Sequence, residues 1–241
     1  MQPYLLLDAG GTLLFPDHRI IRRAILQHGY DVAEERLKRL MTEFIRQYDE
    51  VLKSGTDVAH MSSFVQVVLE QAGVEQQQIP LIVRQLQLMD AENGLWIYTY
   101  PWVRETLARL SAQGYHMSVI SNADGRVQTQ LQYVGLASYF EDIFDSHVVG
   151  YAKPDPRLFE YALTKLRLQP AQCLYVGDVY FIDVLGANKA GIAAIHLDPY
   201  GLYEGWAGCH IPTIAALPDL LAAGDLDLQS EVFFPLREHR H

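Results

Sequence analysis

The stretch YLLLDAGGT, from Tyr4 to Thr12, decides the fold of this chain. Four apolar residues end abruptly at Asp8, and two glycines follow at once in Gly10 and Gly11. A short run that is apolar throughout is typical of a strand buried on both faces of a parallel sheet, and glycines favour a tight turn directly after it. The stretch therefore predicts a buried strand with a carboxylate at its carboxyl end.

The residues between this turn and about Asn93 have a helical pattern. Apolar side chains recur three and four residues apart, which is the spacing of one helix face. The clearest stripe consists of Leu37, Leu40, Met41, Phe44, Tyr48, Val51 and Leu52, and two shorter stripes run through 64–69 and 79–88. Gly55 and Gly73 separate them. The pattern predicts a helical segment inserted after the first strand.

Beyond Pro101, helical and strand patterns alternate, which indicates a parallel sheet covered by helices. The predicted helices are Trp102–Gln113, Arg126–Tyr133, Pro156–Leu168, Ile182–Ala190 and Ile214–Ala222, and the predicted strands are His116–Ser121, Ile143–Val149, Cys173–Val176 and Ile192–Leu197. The sequence thus predicts an α/β protein. Its Rossmann-like parallel sheet core comprises residues 1–15 and 100–241, and an inserted α-helical cap domain comprises residues 16–99.

Composition excludes several classes of protein. The chain has 241 residues with 19 Lys plus Arg against 29 Asp plus Glu, a net charge of −10, which argues against a nucleic-acid partner. Neither a signal peptide nor an apolar stretch long enough for a membrane helix is present, so we expect a cytoplasmic protein without a membrane partner. Cys173 and Cys209 form no CxxC pair and are expected to be reduced.

Polar residues follow four of the predicted strands. They are Asp8 to Thr12, Ser121-Asn122, Lys153-Pro154, and Gly177-Asp178 with Asp183 five residues later. Because the carboxyl ends of parallel strands meet at one edge of a sheet, these side chains are expected to lie together. Two carboxylates, a hydroxyl and an ammonium suit phosphoryl transfer, which needs a nucleophile, a divalent cation and positive charge for the phosphoryl oxygens.

With these residues the sequence resembles the haloacid dehalogenase superfamily of hydrolases, in the branch whose helical cap lies between the first and second motifs. The resemblance covers Tyr4 to about Leu221. It implies that Asp8 is a nucleophile that forms an aspartyl phosphate and that Thr12 fixes the turn by hydrogen bonding. It also implies that Ser121 binds a phosphoryl oxygen and that Asn122 supports that loop.

The resemblance further implies a positive clamp and a metal site. Lys153 would neutralise charge between Asp8 and the phosphate. Mg²⁺ would be bound by Asp8, the Gly10 backbone carbonyl and Asp178, while Asp183 would act through water or hold Lys153. A sparse set of oxygen ligands is adequate because Mg²⁺ keeps several waters. The implied partner is a small phosphorylated metabolite, and no motif specifies which one, nor the oligomeric state.

Gly10 departs from the pattern of the superfamily's phosphatases. Most of them carry a second Asp two residues after the nucleophile, which protonates the leaving group and deprotonates the hydrolytic water. Loss of such a group typically costs about 10² to 10⁴-fold in rate. We therefore expect the nucleophile and the metal site to be retained here, and proton transfer to be impaired.

Other functions remain as alternatives. A catalytically weak or inactive phosphate-ligand or protein-binding module of the same fold is the main one, since fold does not imply function. A phosphonatase-like hydrolase would use a cap lysine, for which Lys38 and Lys53 are candidates. A sugar kinase of the actin-like superfamily would need a second Asp-x-Gly turn with a hydroxyl, and Asp124-Gly125-Arg126 lacks that hydroxyl. Nucleotide-binding loops of the G-K-S/T or G-x-G-x-x-G type do not occur in the sequence.

Overall fold

The structure is a computed structural model and describes residues 2–55, 63–223 and 227–234. Within these ranges the strands form a single six-stranded sheet in which every neighbouring pair is parallel. They are β1 (Tyr4–Leu7), β2 (Met117–Ser121), β3 (Ile143–Asp145), β4 (Cys173–Gly177), β5 (Ala193–Leu197) and β6 (Cys209–Ile211). The predicted α/β class with a parallel sheet is confirmed.

The strand order places the ends of β1 and β4 side by side. The order across the sheet is β3-β2-β1-β4-β5-β6, so the chain first builds outward from β1 on one side and then crosses to the other. Leu7 of β1 pairs with Val119 of β2 and with Val176 of β4. In such a doubly wound sheet, ligands bind at the carboxyl ends of the strands where the order reverses. Here that point is the junction of β1 and β4.

Phe15–Tyr98 forms a compact unit of its own. Its described residues contain four helices, α1 (His18–Gln27), α2 (Glu34–Lys53), α3 (Phe64–Gln71) and α4 (Ile79–Asn93). The stripe predicted on the sequence lies on α2, where Leu37, Leu40 and Met41 are buried. They pack in one apolar cluster with residues of α1, α3 and α4, so the helical prediction for these residues is confirmed.

The sheet belongs to the other unit, which comprises Met1–Leu14 and Thr99–His241. Its helices are α5 (Pro101–Ala112), α6 (Val127–Tyr133), α7 (Ser146–Val149), α8 (Pro156–Leu166), α9 (Leu185–Lys189) and α10 (Leu217–Ala222). Pro101 and Pro156 are the first residues of their helices, as predicted, and Asp155 caps α8 by accepting a hydrogen bond from the Arg157 backbone N–H at 3.0 Å. Among the described residues, no helix has both the length and the apolar character needed to cross a membrane.

The structure corrects two sequence predictions and adds one strand. The strand expected over Ile143–Val149 ends at Asp145, because the Asp145 carboxylate accepts the His147 backbone N–H at 2.9 Å and thereby caps α7. The helix expected over Ile182–Ala190 begins earlier, as a π-helical turn over Tyr180–Val184, and continues as α9. Strand β6 was not predicted, because three residues are too few to show a strand pattern.

Candidate active site

Asp8 lies at the junction of β1 and β4, immediately after β1. Its backbone N–H donates to the Val176 carbonyl at 2.9 Å and so continues the pairing with β4. The chain then turns tightly, because the backbone N–H groups of Leu13 and Leu14 both donate to the Ala9 carbonyl at 2.8 Å. The Asp8 side chain is buried at the end of its strand.

Gly11 allows the turn to approach Asp178, which follows β4. Gly11 has a φ of +70°, and a Cβ at this position would lie 1.8 Å from Asp178 Oδ2. Only glycine fits such a conformation and such a contact without strain. The glycine-rich turn therefore brings the segment that carries Asp8 against the second predicted carboxylate.

Lys153 joins two of the carboxylates. Its Nζ donates to Asp8 Oδ1 and Asp183 Oδ1, each at 2.6 Å, and to the Tyr175 hydroxyl at 2.8 Å. The side chain is only 2% exposed, which rules out a solvated surface lysine. An ammonium has three protons, and each of them has an acceptor here.

Asn122 anchors the Lys153 backbone to the end of β2. Its Nδ2 donates to the Lys153 carbonyl at 2.8 Å, and its Oδ1 accepts the Lys153 backbone N–H at 2.7 Å. This pair of hydrogen bonds differs from the predicted role, in which Asn122 supports the Ser121 loop. Ser121 itself is buried as the last residue of β2, beside the strand that carries Asp8.

Among the residues that the structure describes, Thr12 bonds within the turn through its backbone N–H, which donates to the Ala9 carbonyl at 3.4 Å. Thr12 is fully buried, and its hydroxyl has no hydrogen-bond partner among them. The backbone N–H groups of Thr12, Leu13 and Leu14 all donate to the Ala9 carbonyl and fix the turn. A buried hydroxyl without a partner is costly, so a ligand that reaches it would recover a hydrogen bond.

The π-helical turn over Tyr180–Val184 directs the Asp183 carboxylate toward Lys153. Asp183 Oδ2 accepts the Val179 backbone N–H at 2.9 Å, while Oδ1 accepts from Lys153. A Cβ at position 177 would lie 2.4 Å from Asp183 Cγ, so Gly177 at the end of β4 leaves the space that this carboxylate occupies. Such turns are rare and often occur at functional sites.

Asp8, Asp178 and Asp183 form a group that could hold a cation. One carboxylate oxygen from each lies within 4.8 Å of the others, and all three residues are buried. With the Lys153 ammonium, three ionised carboxylates leave a formal charge of −2 in a buried place, which is costly without a counter-ion. Oxygen ligands of this kind suit a hard divalent cation.

A profile of the family described as haloacid dehalogenase-like hydrolase matches residues 37–197, about two thirds of the chain. This chain belongs to that family. The matched region includes Lys153, Asp178 and Asp183, whereas Asp8 lies before it.

The chain is also similar to individual members of the family. Haloacid dehalogenase-like hydrolase domain-containing protein 3 of Bos taurus is 33% identical over 129 residues, 53% of this chain and 51% of that protein. Glyceraldehyde 3-phosphate phosphatase of Methanothermobacter thermautotrophicus is 36% identical over 97 residues, 40% and 43% of the two chains. The chain thus spans about half the length of the curated relatives it matches.

A solved member of the family shares the fold. The HAD phosphatase of Thermococcus onnurineus has a TM-score of 0.55 and 21% identity, over 92% of this chain and 98% of that one. At this identity the likeness concerns the fold alone.

The buried charges of this family member shift one another's protonation. Burial raises the pKa of Asp8 to about 6, although the Lys153 ammonium acts in the opposite direction. Burial by itself would lower the pKa of Lys153, but the facing carboxylates of Asp183 and Asp8 outweigh it, so that pKa lies above its ordinary value. Lys153 therefore stays an ammonium, and Asp8 is ionised above about pH 6.

Sequence reasoning missed Tyr175 and treats His196 as a structural histidine with its hydrogen bonds satisfied. Tyr175 lies within the apolar run of β4, and its hydroxyl contacts Lys153. His196 at the end of β5 donates from Nε2 to the Asp178 backbone carbonyl at 2.9 Å, and burial, together with His210, lowers the pKa of His196 to about 4, so that it is neutral. For Tyr175 the available signal was a polar group inside an apolar strand, three residues before Asp178.

The lysines considered for a phosphonatase belong to the helical unit. Lys38 Nζ is paired with Glu34 Oε1 at 2.6 Å, and Lys53 is exposed as the last residue of α2. The ion pair and the exposure both fit the lysines of a solvated helix face. For residues 15–55 and 63–98, which the structure describes in this unit, no observation favours a lysine that reacts with substrate.

Proposed function

We propose that this chain is a Mg²⁺-dependent phosphatase-type hydrolase that acts on a small phosphorylated metabolite through an aspartyl phosphate on Asp8. The observation that carries the proposal is the buried contact of Lys153 with both Asp8 and Asp183, beside Asp178. A structural role alone gives no reason to gather three carboxylates and one ammonium at the point of the sheet where ligands bind. Phosphoryl transfer does give such a reason.

In this proposal Asp8 is the nucleophile. One of its carboxylate oxygens forms a bond to phosphorus while the bond from phosphorus to the leaving oxygen breaks, and that oxygen keeps the electron pair and takes up a proton. The oxygen of a water molecule then bonds to the phosphorus while the bond from phosphorus to the Asp8 oxygen breaks. The water loses a proton to solvent, and inorganic phosphate leaves with the Asp8 carboxylate restored. Lys153 reduces the repulsion between the incoming phosphoryl group and Asp8.

The hydroxyls near Asp8 complete the proposed phosphate site. Ser121 ends the neighbouring strand, and Thr12 has a buried hydroxyl without a described partner, so both are candidate donors to phosphoryl oxygens. Asn122 acts at a distance by holding the Lys153 backbone.

The donor set fits the metal that the resemblance implies. Asp8, Asp178 and the Gly10 carbonyl would hold Mg²⁺, and Asp183, whose described partners are Lys153, Tyr175 and Val179, would instead orient Lys153. When bound, Mg²⁺ supplies positive charge that offsets the negative charge of the carboxylates and the phosphoryl group. A phosphatase among the relatives supports phosphate esters as the substrate class.

The first prediction concerns the metal. We expect Mg²⁺-dependent release of phosphate from p-nitrophenyl phosphate and from a panel of small phosphate esters, and we expect Asp178→Asn to abolish it, because the amide replaces a charged ligand by a neutral one of similar shape. Asp124→Asn is the matched control. That carboxylate lies in the loop after β2 and binds Arg126, so turnover should stay within about twofold.

Two results would contradict this assignment. Turnover that persists in EDTA would exclude the metal. Calorimetric binding of phosphate and Mg²⁺ without turnover of any ester would instead identify a binding module of the same fold, which is the main alternative.

A further inference from the structure

The hydroxyl of Tyr175 completes the surroundings of Lys153. Of the three acceptors around the ammonium, two are carboxylate oxygens that carry the charge, and the third is this neutral phenol at 2.8 Å. Without the phenol, one N–H of a buried ammonium would lack its acceptor. A buried charged group with an N–H that lacks an acceptor is costly in free energy. The Tyr175 hydroxyl therefore fixes the direction in which the Lys153 ammonium points.

The ring of Tyr175 is held rigidly by the core. Tyr175 is fully buried and pairs in register with Leu6 of β1 and Ala194 of β5. Phe159 of α8 packs edge-on against the ring, with the ring centroids 5.2 Å apart. Because backbone and ring are both fixed, the position of the hydroxyl is set by the packing of the sheet rather than by the ligands of the site.

The hydroxyl also connects two strands, β4 and β2, at the site. From β4 it reaches past β1 to the Ile120 carbonyl of β2 at 3.1 Å, and it lies 2.9 Å from Asp183 Oδ1. A phenol has one proton to donate, so it donates to one of these acceptors while it accepts from Lys153. The contact couples the position of Lys153 to the strands on both sides of Asp8.

We propose that Tyr175 is a positioning residue that holds the Lys153 ammonium in contact with Asp8 and Asp183. The proposal rests on the proposed function, since it concerns how the site receives a phosphoryl group. Tyr175 itself does not touch the substrate. Its effect passes through Lys153 and vanishes when that lysine is removed.

Tyr175→Phe tests the proposal, with Tyr4→Phe as the matched control. Tyr4 is the first residue of β1 and lies at the amino-terminal end of the strands, away from the site. Its hydroxyl makes two hydrogen bonds, to Ser118 Oγ at 2.7 Å and to Glu141 Oε2 at 3.0 Å. Each substitution removes one oxygen and keeps the ring. Both variants therefore lose a partly or fully buried hydroxyl, and only Tyr175→Phe changes the surroundings of Lys153.

The first measurement is the affinity for inorganic phosphate with Mg²⁺ present, by calorimetry. Tyr175→Phe should weaken it by about tenfold, as expected for a lost hydrogen bond to a charged group, while Tyr4→Phe should change it less than about twofold. In a Lys153→Met background, Tyr175→Phe should add less than about twofold, because residues that act through one another are not additive. Equal effects of Tyr175→Phe in both backgrounds, or equal effects of the two tyrosine variants, would overturn the proposal.

The second measurement does not depend on catalysis. In protein labelled with ¹⁵N at lysine, the ammonium signal that disappears in Lys153→Met reports on Lys153. Its hydrogen exchange with water should be about tenfold faster in Tyr175→Phe and unchanged in Tyr4→Phe. Unchanged exchange in Tyr175→Phe would overturn the proposal even if the chain is a phosphatase. A chain that binds no phosphate would refute the proposed function, and the exchange rates would still decide whether Tyr175 holds Lys153.

Discussion

At the scale of the single residue, Gly10 is where this chain departs from the pattern that its motifs resemble. The structure shows that Gly10 and the adjacent Gly11 have different roles. Gly11 has the positive φ and the contact with Asp178, whereas Gly10 is not among the residues with positive φ. The backbone at position 10 is therefore one that a residue with a side chain can adopt.

The absence of an acid at position 10 predicts the substrate preference. The nearby proton donors of the core, Lys153 and Tyr175, both have a pKa above the ordinary value, Tyr175 through burial and the charges of Asp183 and Asp8. The leaving group must then depart largely unassisted. We expect aryl and acyl phosphates to react faster than alkyl phosphates, and a burst of leaving group to precede slow turnover, because hydrolysis of the aspartyl phosphate also lacks a base.

Gly10→Asp tests this prediction, with Gly10→Asn as the control of equal shape. The acid should raise the steady-state turnover of alkyl phosphates, by up to the 10² to 10⁴-fold typical of general acid–base catalysis, and the amide should not. Fast hydrolysis of alkyl phosphates by the native protein without a burst, slowed by Gly10→Asp, would mean that another group supplies the proton.

At the scale of the element, the turn after β1 depends on the end of β4, which lies against it. Its conformation is set by the backbone bonds to Ala9 and by the left-handed conformation of Gly11, and its proximity to Asp178 comes from the pairing of β1 with β4. The turn and the end of β4 thus form one structural unit, although about 165 residues separate them in the sequence. A side chain at position 11 would disturb both at once.

Gly11→Ala should cost metal binding as well as stability. Its Cβ would meet Asp178 Oδ2 at 1.8 Å, so the carboxylate has to move. Gly150→Ala is the matched control, because Gly150 has a φ of +86° in the same unit but nothing within 4 Å of its Cβ position. Both variants should lose about 1 to 2 kcal/mol of stability through the left-handed conformation.

Only Gly11→Ala should lose the rise in melting temperature that Mg²⁺ gives the native protein. Calorimetric scans with and without the metal measure both effects. An equal response of the two variants to Mg²⁺ would show that Asp178 does not depend on the glycine.

At the scale of the whole molecule, the buried charges of the site oppose folding when no metal is present. Asp8 has a pKa of about 6 in the folded chain against 3.8 when solvated, so the folded state binds its proton more tightly. The contribution of Asp8 to the free energy of unfolding therefore falls as the pH rises from about 4 to about 6 and stays low above that range. A site that destabilises its own fold is expected where function requires it.

Asp8→Asn removes this pH dependence. In EDTA, its stability relative to the native protein should increase by about 1 to 3 kcal/mol between pH 4 and pH 7.5, as measured by denaturant unfolding. Millimolar Mg²⁺ should stabilise the native protein more than the variant. A stability difference that stays constant across this pH range would contradict the raised pKa of Asp8.

The sequence by itself determined the class of the sheet, the helical character of the inserted segment and most residues of the site. These depend on local patterns: fully apolar runs that are typical of buried strands, stripes at helical spacing, and polar residues where a strand ends. Asp8, Asp178 and Asp183 could be predicted together because the carboxyl ends of parallel strands meet at one edge. Lys153 lies eight residues past the end of β3, and its backbone is held in place by Asn122.

What only the tertiary structure decided is how those residues hold one another. Three features depend on β1 lying between β2 and β4. They are the contact of Tyr175 with Lys153, the need for a glycine at position 11 rather than at position 10, and the bond of Asn122 to the Lys153 backbone. Strand order is set by long-range packing, and no local pattern encodes it. At the end of β3, Asp145 caps α7 through a local bond from the His147 backbone N–H, and only the tertiary structure adds its second bond, from the Gly125 backbone N–H at 2.9 Å.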